Sequence, residues 1–450
     1  MSFPRYPKYA DSGIQWLGHV PEHWVVRRLR LVAEIGPSKT EVSTLDREMS
    51  VSFLPMEAIG DDGSLSLERE RTIAELESGY TYFREGDVTL AKITPCFENG
   101  KGAVMRGLLN GIGFGTTELI VARPRANALL SDYLHYVFTS TQFRALGESH
   151  MYGAGGQKRV PDSFVRDFKT AFPPLDEQSF IVRFLDRETA KIDALIAEQQ
   201  RLMELLQEKR QAVISHAITK GLNPDAPMKP SGVEWLGEVP AHWEILRTKS
   251  LSSFTTSGPR GWAELVGENG ALFIQSGDLD GAMGIVFEAA KRVEVGDDVE
   301  SERTRMIVGD VLVCITGAKT GNVGVCRTLP EPAYVNQHLC LIRPSERIRP
   351  EYLGFVLHSS VGQTQFALAQ YGLKQGLSLE DVREVVVALP PSDEQSAICD
   401  QLALWTVESA LLTGTARHAI DLLYERRASL ISAAVTGQID VRDFARSESA

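Results

Sequence analysis

Nine histidines and five cysteines are the side chains of this 450-residue chain best suited to metal binding, nucleophilic attack or proton transfer, and their spacing supports none of these. The histidines form no HExxH helix, and no Cys/His set has the spacing of a zinc site. Cys96, Cys314, Cys326, Cys340 and Cys399 form no CxxC pair and read as reduced thiols in or near cores. Gly317-Ala318-Lys319-Thr320 lacks the leading glycine of a phosphate cradle. Gly111-Ile112-Gly113-Phe114-Gly115 precedes a strand, whereas a dinucleotide fingerprint follows one and opens a helix. The Asn-Pro-Pro-aromatic signature of amino-methyltransferases is also missing. His23 and His242 recur in equivalent places, but beside Trp24 and Trp243 they read as packing or hydrogen-bonding residues. The expectation is a chain that is no enzyme and binds no metal or cofactor of its own.

What recurs is a framework. Ser12-Gly13, Trp16-Leu17-Gly18, Val20-Pro21 and His23-Trp24 return as Ser231-Gly232, Trp235-Leu236-Gly237, Val239-Pro240 and His242-Trp243, at an offset of 219. Pro173-Pro174-Leu175-Asp176-Glu177-Gln178 returns as Pro390-Pro391-Ser392-Asp393-Glu394-Gln395, at an offset of 217. A period this long describes a whole domain with its own extension, not a solenoid repeat. A module written twice points to a target with two halves. The four tryptophans read as fold-bearing residues that pack in cores or against the helices.

Between the two marks each copy alternates short apolar stretches with glycine. Gly86-Asp87-Val88-Thr89-Leu90-Ala91 and Gly115 to Pro124 in the first copy match Gly309-Asp310-Val311-Leu312-Val313-Cys314 and Val335 to Pro344 in the second, and all read as strands. A short amphipathic helix follows from Asp132-Tyr133-Leu134 and from Glu351-Tyr352-Leu353, then a glycine-rich loop and a last strand. The module is α+β. After each double proline the sequence becomes proline-free and helical, from Asp176 to Lys220 and from Asp393 to Thr436. Asp176 is placed to cap the first helix with Leu175 and Phe180 as a staple, and Gly221 and Gly437 stand where a terminal glycine belongs.

Alternating steps of three and four visit Leu185, Ile192, Leu195, Leu202 and Leu206 on the first helix and Ile398, Leu402, Trp405, Ala416 and Ala419 on the second. The small residues of one seam complement the large residues of the other, so the helices are expected to pair as an antiparallel coiled coil. At about 1.5 Å per residue each rod is about 68 Å long, which fits a spacing role. The expected domains are residues 1–175, helix 176–221, residues 222–392, helix 393–437 and a tail, 438–450.

Composition bounds the rest. With 43% hydrophobic and 24% charged residues the chain reads as ordinary globular protein, with no apolar run of membrane length and no apolar signal core near Met1, so a cytoplasmic location is expected. The net charge is −12, and no polybasic tract appears. Any binding of nucleic acid must rest on local clusters or on partners that add positive charge.

The doubled Trp-Leu-Gly, Val-Pro, His-Trp string, the Gly-Asp-Val strand and the Pro-Pro-x-Asp-Glu-Gln entry into a long helix closely resemble the specificity subunit of type I restriction-modification systems, over essentially the whole chain. The resemblance implies two target recognition domains, each reading one half of a bipartite, asymmetric double-stranded DNA sequence, with the helices as a molecular ruler. It implies as partners two modification subunits, which bring S-adenosylmethionine and methyl transfer, and restriction subunits, which bring ATP, magnesium, translocation and cleavage. The divergent interiors, Lys92 to Phe97 against Ile315 to Thr320, fit copies that read different sequences.

On that basis the candidate DNA contacts are Lys39, Lys101, Gln157, Lys158 and Arg159 in copy one, and Arg260, Trp262, Lys319, Lys374 and Gln375 in copy two. Gln pairs with an adenine edge, Lys and Arg take phosphate or guanine, and the loop glycines allow close approach. Gln157 is matched to Gln375 at an offset of 218. Gln199, Arg201, Glu208 and Arg210 on the first helix are candidates for binding modification subunits. The alternatives are a fused restriction or methylation enzyme, for which motifs are missing, a protein adaptor, and the recognition subunit of a methylation-only defence complex.

Overall fold

The computed structural model describes residues 3–153, 156–370 and 376–446. They fall into two units, one made of Met1–Gln199 with His418–Ala450 and the other of Gln200–Arg417.

Unit one carries β1 (Val25–Arg28), β2 (Ala33–Ile35), β3 (Ser50–Leu54), β4 (Glu70–Thr72), β5 (Thr81–Arg84), β6 (Val88–Ala91), β7 (Gly102–Val104), β8 (Ile112–Gly115) and β9 (Leu119–Pro124). Then come α1 (Ser131–Thr139), α2 (Thr141–Ser149), β10 (Lys169–Phe172) and the start of α3 (Leu175–Lys220). One sheet has the order β4-β3-β8-β5, with β3 and β8 parallel; a second is the antiparallel β2-β9-β6-β7, and β1 pairs with β10. β6 is buried at all four positions and β9 at five of six, as central strands covered on both faces must be.

Unit two repeats the plan with β11 (Glu244–Arg247), β12 (Ser252–Ser257), β13 (Val266–Gly267), β14 (Ala271–Ile274), β15 (Lys291–Val293), β16 (Val311–Cys314), β17 (Val323–Val325), β18 (Ala333–Val335) and β19 (Leu339–Pro344). α4 (Pro350–His358), α5 (Ser360–Ala369), β20 (Val386–Leu389) and α6 (Ser392–Val435) follow. Its sheets are β12-β19-β16-β17 and β13-β15-β14-β18, with β14 and β18 parallel, and β11 pairs with β20. The single helix anticipated after Asp132 and after Glu351 is in both copies a pair, broken where Ser140 and Ser359 cap the second helix.

The doubled sequence marks are a set of repeated contacts. Glu177 in the first turn of α3 accepts from the Trp24 indole at 2.9 Å and lies 2.7 Å from His23 Nε2; Glu394 in α6 does the same for Trp243 and His242. Gln178 donates to the Pro173 and Ala128 carbonyls and accepts from Leu130, so it ties the strand end to the entry of α1. Gln395 makes the matching bonds to Pro390, Arg347 and Arg349. Asp87 closes the Gly86 turn by accepting from the Arg84 amide and holds Arg123 of β9 with both oxygens. Asp310 repeats this with Ile307 and Arg343. The histidines next to tryptophan therefore are hydrogen-bonding residues.

The two long helices pair antiparallel. In unit one Asp193 of α3 meets Arg427 of α6 at 3.1 Å, and Leu430, Ile431 and Val435 share a core with Ile181 and Leu185. In unit two Lys209 lies over the Trp405 ring, and Ile214 and Ile218 share a core with Ile398 and Leu402. Two details differ from expectation. α3 begins at Leu175, so Asp176 lies inside its first turn, with the Pro174 carbonyl accepting from Gln178. Leu195 and Leu202 are nearly half exposed while Ile196 and Leu206 are buried, because a straight helix drifts about 20° per heptad from a strict 3.5-residue seam.

Candidate nucleic-acid interface

In copy one the loop after α2 returns as a narrow hairpin. Tyr152 and Arg159 exchange backbone hydrogen bonds, and Val160 donates to the Lys92 carbonyl. Thr94 clamps the middle. Its amide and hydroxyl donate to the Lys158 carbonyl at 3.0 and 3.1 Å, and its oxygen accepts from the Lys158 amide at 3.2 Å. A side chain at Gly153 would put its Cβ 2.4 Å from the Gln157 carbonyl, so the hairpin needs glycine there. The side chains of Gln157, Lys158 and Tyr152 stand exposed, Tyr152 at 64%.

Arg159 does not join them. Its guanidinium makes three hydrogen bonds of 2.8–3.1 Å to both oxygens of Glu118, the residue that enters β9. Hydrogen bonds from Arg159 hold the Glu118 carboxyl below its ordinary range against a smaller opposing effect of burial, and the same pair raises Arg159. An arginine engaged in this way is a post for the loop rather than a free phosphate contact.

Copy two builds the counterpart from other residues. Leu377 donates to the Ile315 carbonyl and Ile315 to the His338 carbonyl, as Val160 does to Lys92 and Lys92 to Glu118. His338 thus stands where Glu118 stands, and Gly376 where Arg159 stands. The His338 ring bonds the Thr316 hydroxyl through Nδ1, while its amide donates to Asn336. Between Val160 and Leu377 this register is an offset of 217, that of the double prolines. Lys374 and Gln375 themselves lie outside the described residues.

The structure commits several other candidates to internal contacts. Lys39 donates to the Glu77 carbonyl at 3.1 Å. Lys101 donates to Met56, and Lys319 to Gly277 and Leu279, so each lysine reaches the carbonyls around the short turn after β3 or β14 and supports the fold. Trp262 is buried with Phe273 and Val293, and Tyr334 meets its ring edge-on, so its ring packs in a small core. Arg260 is exposed, on a loop anchored where the Gly258 amide donates to Asn336. Among the described residues, Gln157, Lys158 and Arg260 are the named candidates that are exposed and outside these internal contacts.

On α3 Arg201 and Glu208 are exposed, with Arg201 paired to Glu204, while Gln199 is half-buried. Arg210 is not an open surface group: its Nε and Nη2 are buried without a hydrogen-bond partner. Sequence reading missed Glu118, His338 and Thr94. It also missed a third repeated string, Ile214-Ser215, Ala217-Ile218-Thr219 against Ile431-Ser432, Ala434-Val435-Thr436, whose offset of 217 was a readable signal. Among the described residues no group of His, Cys, Asp and Glu is placed to hold a metal, and no helix is long and apolar enough to cross a membrane.

Comparison with known proteins agrees with the doubled frame. A family model, the type I restriction modification DNA specificity domain, matches residues 21–205. The EcoAI and EcoEI specificity subunits of Escherichia coli are 45% and 43% identical over 188 residues, which is 41% of this chain and 31% of each relative. A putative type I restriction enzyme specificity subunit, MjaX of Methanocaldococcus jannaschii, is 24% identical across 86% of this chain and 87% of its own. A solved structure from work on complex assembly and conformational transition of the type I system has a TM-score of 0.73 at 18% identity, covering 92% of this chain and 98% of that one. The HsdS subunit of Thermoanaerobacter tengcongensis has a TM-score of 0.55, also at 18% identity, covering 93% and 98%. With both copies of the motif frame and the paired helices, residues 21–205 match the type I restriction modification DNA specificity domain and the chain as a whole is similar to type I specificity subunits.

Proposed function

We propose that this chain is the non-catalytic DNA-recognition subunit of a type I restriction-modification complex, reading a bipartite, asymmetric duplex target in the cytoplasm. Residues 1–175 and 222–392 are the target recognition domains, 176–221 and 393–437 the helices that set the gap between half-sites, and 438–450 the tail. The observation that carries this reading is the contrast between scaffold and loop. The Trp–Glu, Gln and Asp–Arg contacts are the same in both copies, while the groups facing the hairpin differ, Glu118 and Arg159 against His338 and Gly376. One frame with two chemistries suits a two-part target with unlike halves.

Partner subunits supply the reaction: S-adenosylmethionine and methyl transfer on two modification subunits, ATP and magnesium on restriction subunits. Arg201 and Glu208 on α3, and an open apolar stripe on α6, Leu404, Val407 and Leu411 at 69–72% exposure, support docking of the modification subunits on the helices. The test is genome-wide mapping of methylated adenines in cells expressing this chain with its neighbouring methyltransferase. A motif with two unlike halves and a fixed gap, present only with this chain, is expected; an active methyltransferase whose methylation pattern ignores this chain would overturn the proposal.

A further inference from the structure

The turn that enters the central strand of the second sheet differs between copies more than the scaffold around it. In copy one it is Thr116-Thr117-Glu118, with the Glu118 amide donating to the Thr116 hydroxyl; in copy two it is Asn336-Gln337-His338, with the His338 amide donating to the Asn336 side chain. The backbone is the same and the last side chain is not. Glu118 reaches over to the hairpin and takes Arg159 in a forked pair, with Arg159 35% and Glu118 24% exposed. His338 instead bonds Thr316, which stands where copy one has Ile93, and makes no such clamp on a hairpin strand among the described residues.

Two consequences follow for the hairpin tip of copy one. The pair pins Arg159 at the base of the loop, which fixes where Gln157 and Lys158 point. It also cancels the arginine charge beside the tip and occupies the donor edge that would otherwise grip phosphate, so Lys158 is left as the free cation of this loop among the described residues. An arginine free to grip the phosphate backbone holds any sequence, since phosphate contacts carry no base information. A loop with that arginine tied down depends on the groups that meet base edges.

We propose that Glu118 is a positioning residue that determines specificity at the half-site read by copy one, by holding Arg159 off the DNA backbone and fixing the Gln157-Lys158 tip. This rests on the DNA-reading role proposed above.

The test uses the full chain assembled with its modification subunits. For Glu118→Ala the mapped motif is expected to lose base preference at one or more positions of one half, with the other half and the gap unchanged. The freed Arg159 is expected to steepen the dependence of log affinity on log salt by about one unit, the effect of one added phosphate contact. Exchanging the pair, Glu118→Arg with Arg159→Glu, is expected to return the salt dependence to its original slope. An unchanged motif and slope in Glu118→Ala would overturn the proposal. So would loss of all methylation in both Glu118→Ala and the exchanged pair, since the pair would then hold the fold rather than the reading. Absence of any two-part motif with the unaltered chain would be a failure of the DNA-reading role itself, separate from these outcomes.

Discussion

Arg123 is 9% exposed and spends every side of its guanidinium on carboxylates, two hydrogen bonds to Asp87 and two to Glu41. Removing Asp87 leaves a buried cation short of its main partner, a change that costs about 3–5 kcal/mol. Asp87→Ala is therefore expected to lower urea stability by that order. Asp310→Ala is expected to cost less, because Arg343 is 29% exposed and water can replace its partner. The Glu118 pair gives a pH dependence of known sign. Its carboxyl is held below the ordinary range, so the pair contributes fully above the usual glutamate value of about 4.3 and is lost as pH falls through the lowered one. A carbon-13 titration of Glu118 should move up toward the ordinary value in Arg159→Leu; no movement would mean that Arg159 is not its partner in solution. Cysteine chemistry is equally specific. Burial pushes Cys326 to about 11 and Cys399 to about 12, and Cys314 and Cys340 are buried as well, whereas Cys96 is half-buried. Thiol labelling of the folded chain at pH 8 should modify Cys96 first, and the rest only on unfolding. At this scale the repeated Asp, Arg, Glu and Gln stood in plain view in the sequence, yet their pairings did not. Asp87 meets Arg123 only because the register of β6 on β9 brings position 88 opposite position 122. The internal contacts of Lys39, Lys101, Lys319 and Trp262 were hidden for a related reason, since residue type does not say whether a loop side chain turns outward or back onto its own fold.

Each long helix ends against the tryptophan whose glutamate starts the other. In unit one Gly437 closes α6 with φ +72°, and a Cβ there would lie 2.4 Å from Pro21 Cδ and 3.3 Å from the Trp24 ring. In unit two Gly221 closes α3 with φ +73°, and its Cβ would lie 3.2 Å from the Trp243 ring. Tyr133 donates to the Val435 carbonyl, and Tyr352 to that of Ala388 and, at 3.4 Å, to Ile218, so a buried hydroxyl satisfies the last turn in both places. Alanine at either glycine pays for the left-handed backbone, about 1–2 kcal/mol. Gly437→Ala adds a clash with a rigid proline ring, so it should lower the melting temperature more than Gly221→Ala; equal losses would count against the tight fit at Pro21. The helices and their terminal glycines were legible from the abrupt loss of proline and the apolar period. Their seam was not, because a strict heptad walk ignores the drift that turns Leu195 and Leu202 toward solvent.

Across the whole molecule the sequence repeat and the structural units do not coincide. The repeat runs in order along the chain, but unit one is assembled from residues 1–199 and 418–450, while unit two is the continuous stretch 200–417. Replacing residues 1–170 with those of another family member should change one half of the methylated motif and leave the other; a change in both would count against separate readers. Removing whole turns from a long helix should alter the gap between half-sites without altering their bases, as methylation mapping would show. The fold class was readable because duplication displays every framing contact twice, whereas the closing of unit one by the last helix rests on contacts more than 300 residues apart, Tyr133 to Val435 and Tyr9 to Gly437 among them. That closure has a consequence for synthesis. Ile431, Ala434, Val435 and Val441 complete the core of the first module, so it cannot finish folding until the chain has left the ribosome as far as Val441. The usual N-terminal-first order is reversed: nascent chains halted after Arg417 should hold a protease-resistant second module beside a first one still open to cleavage.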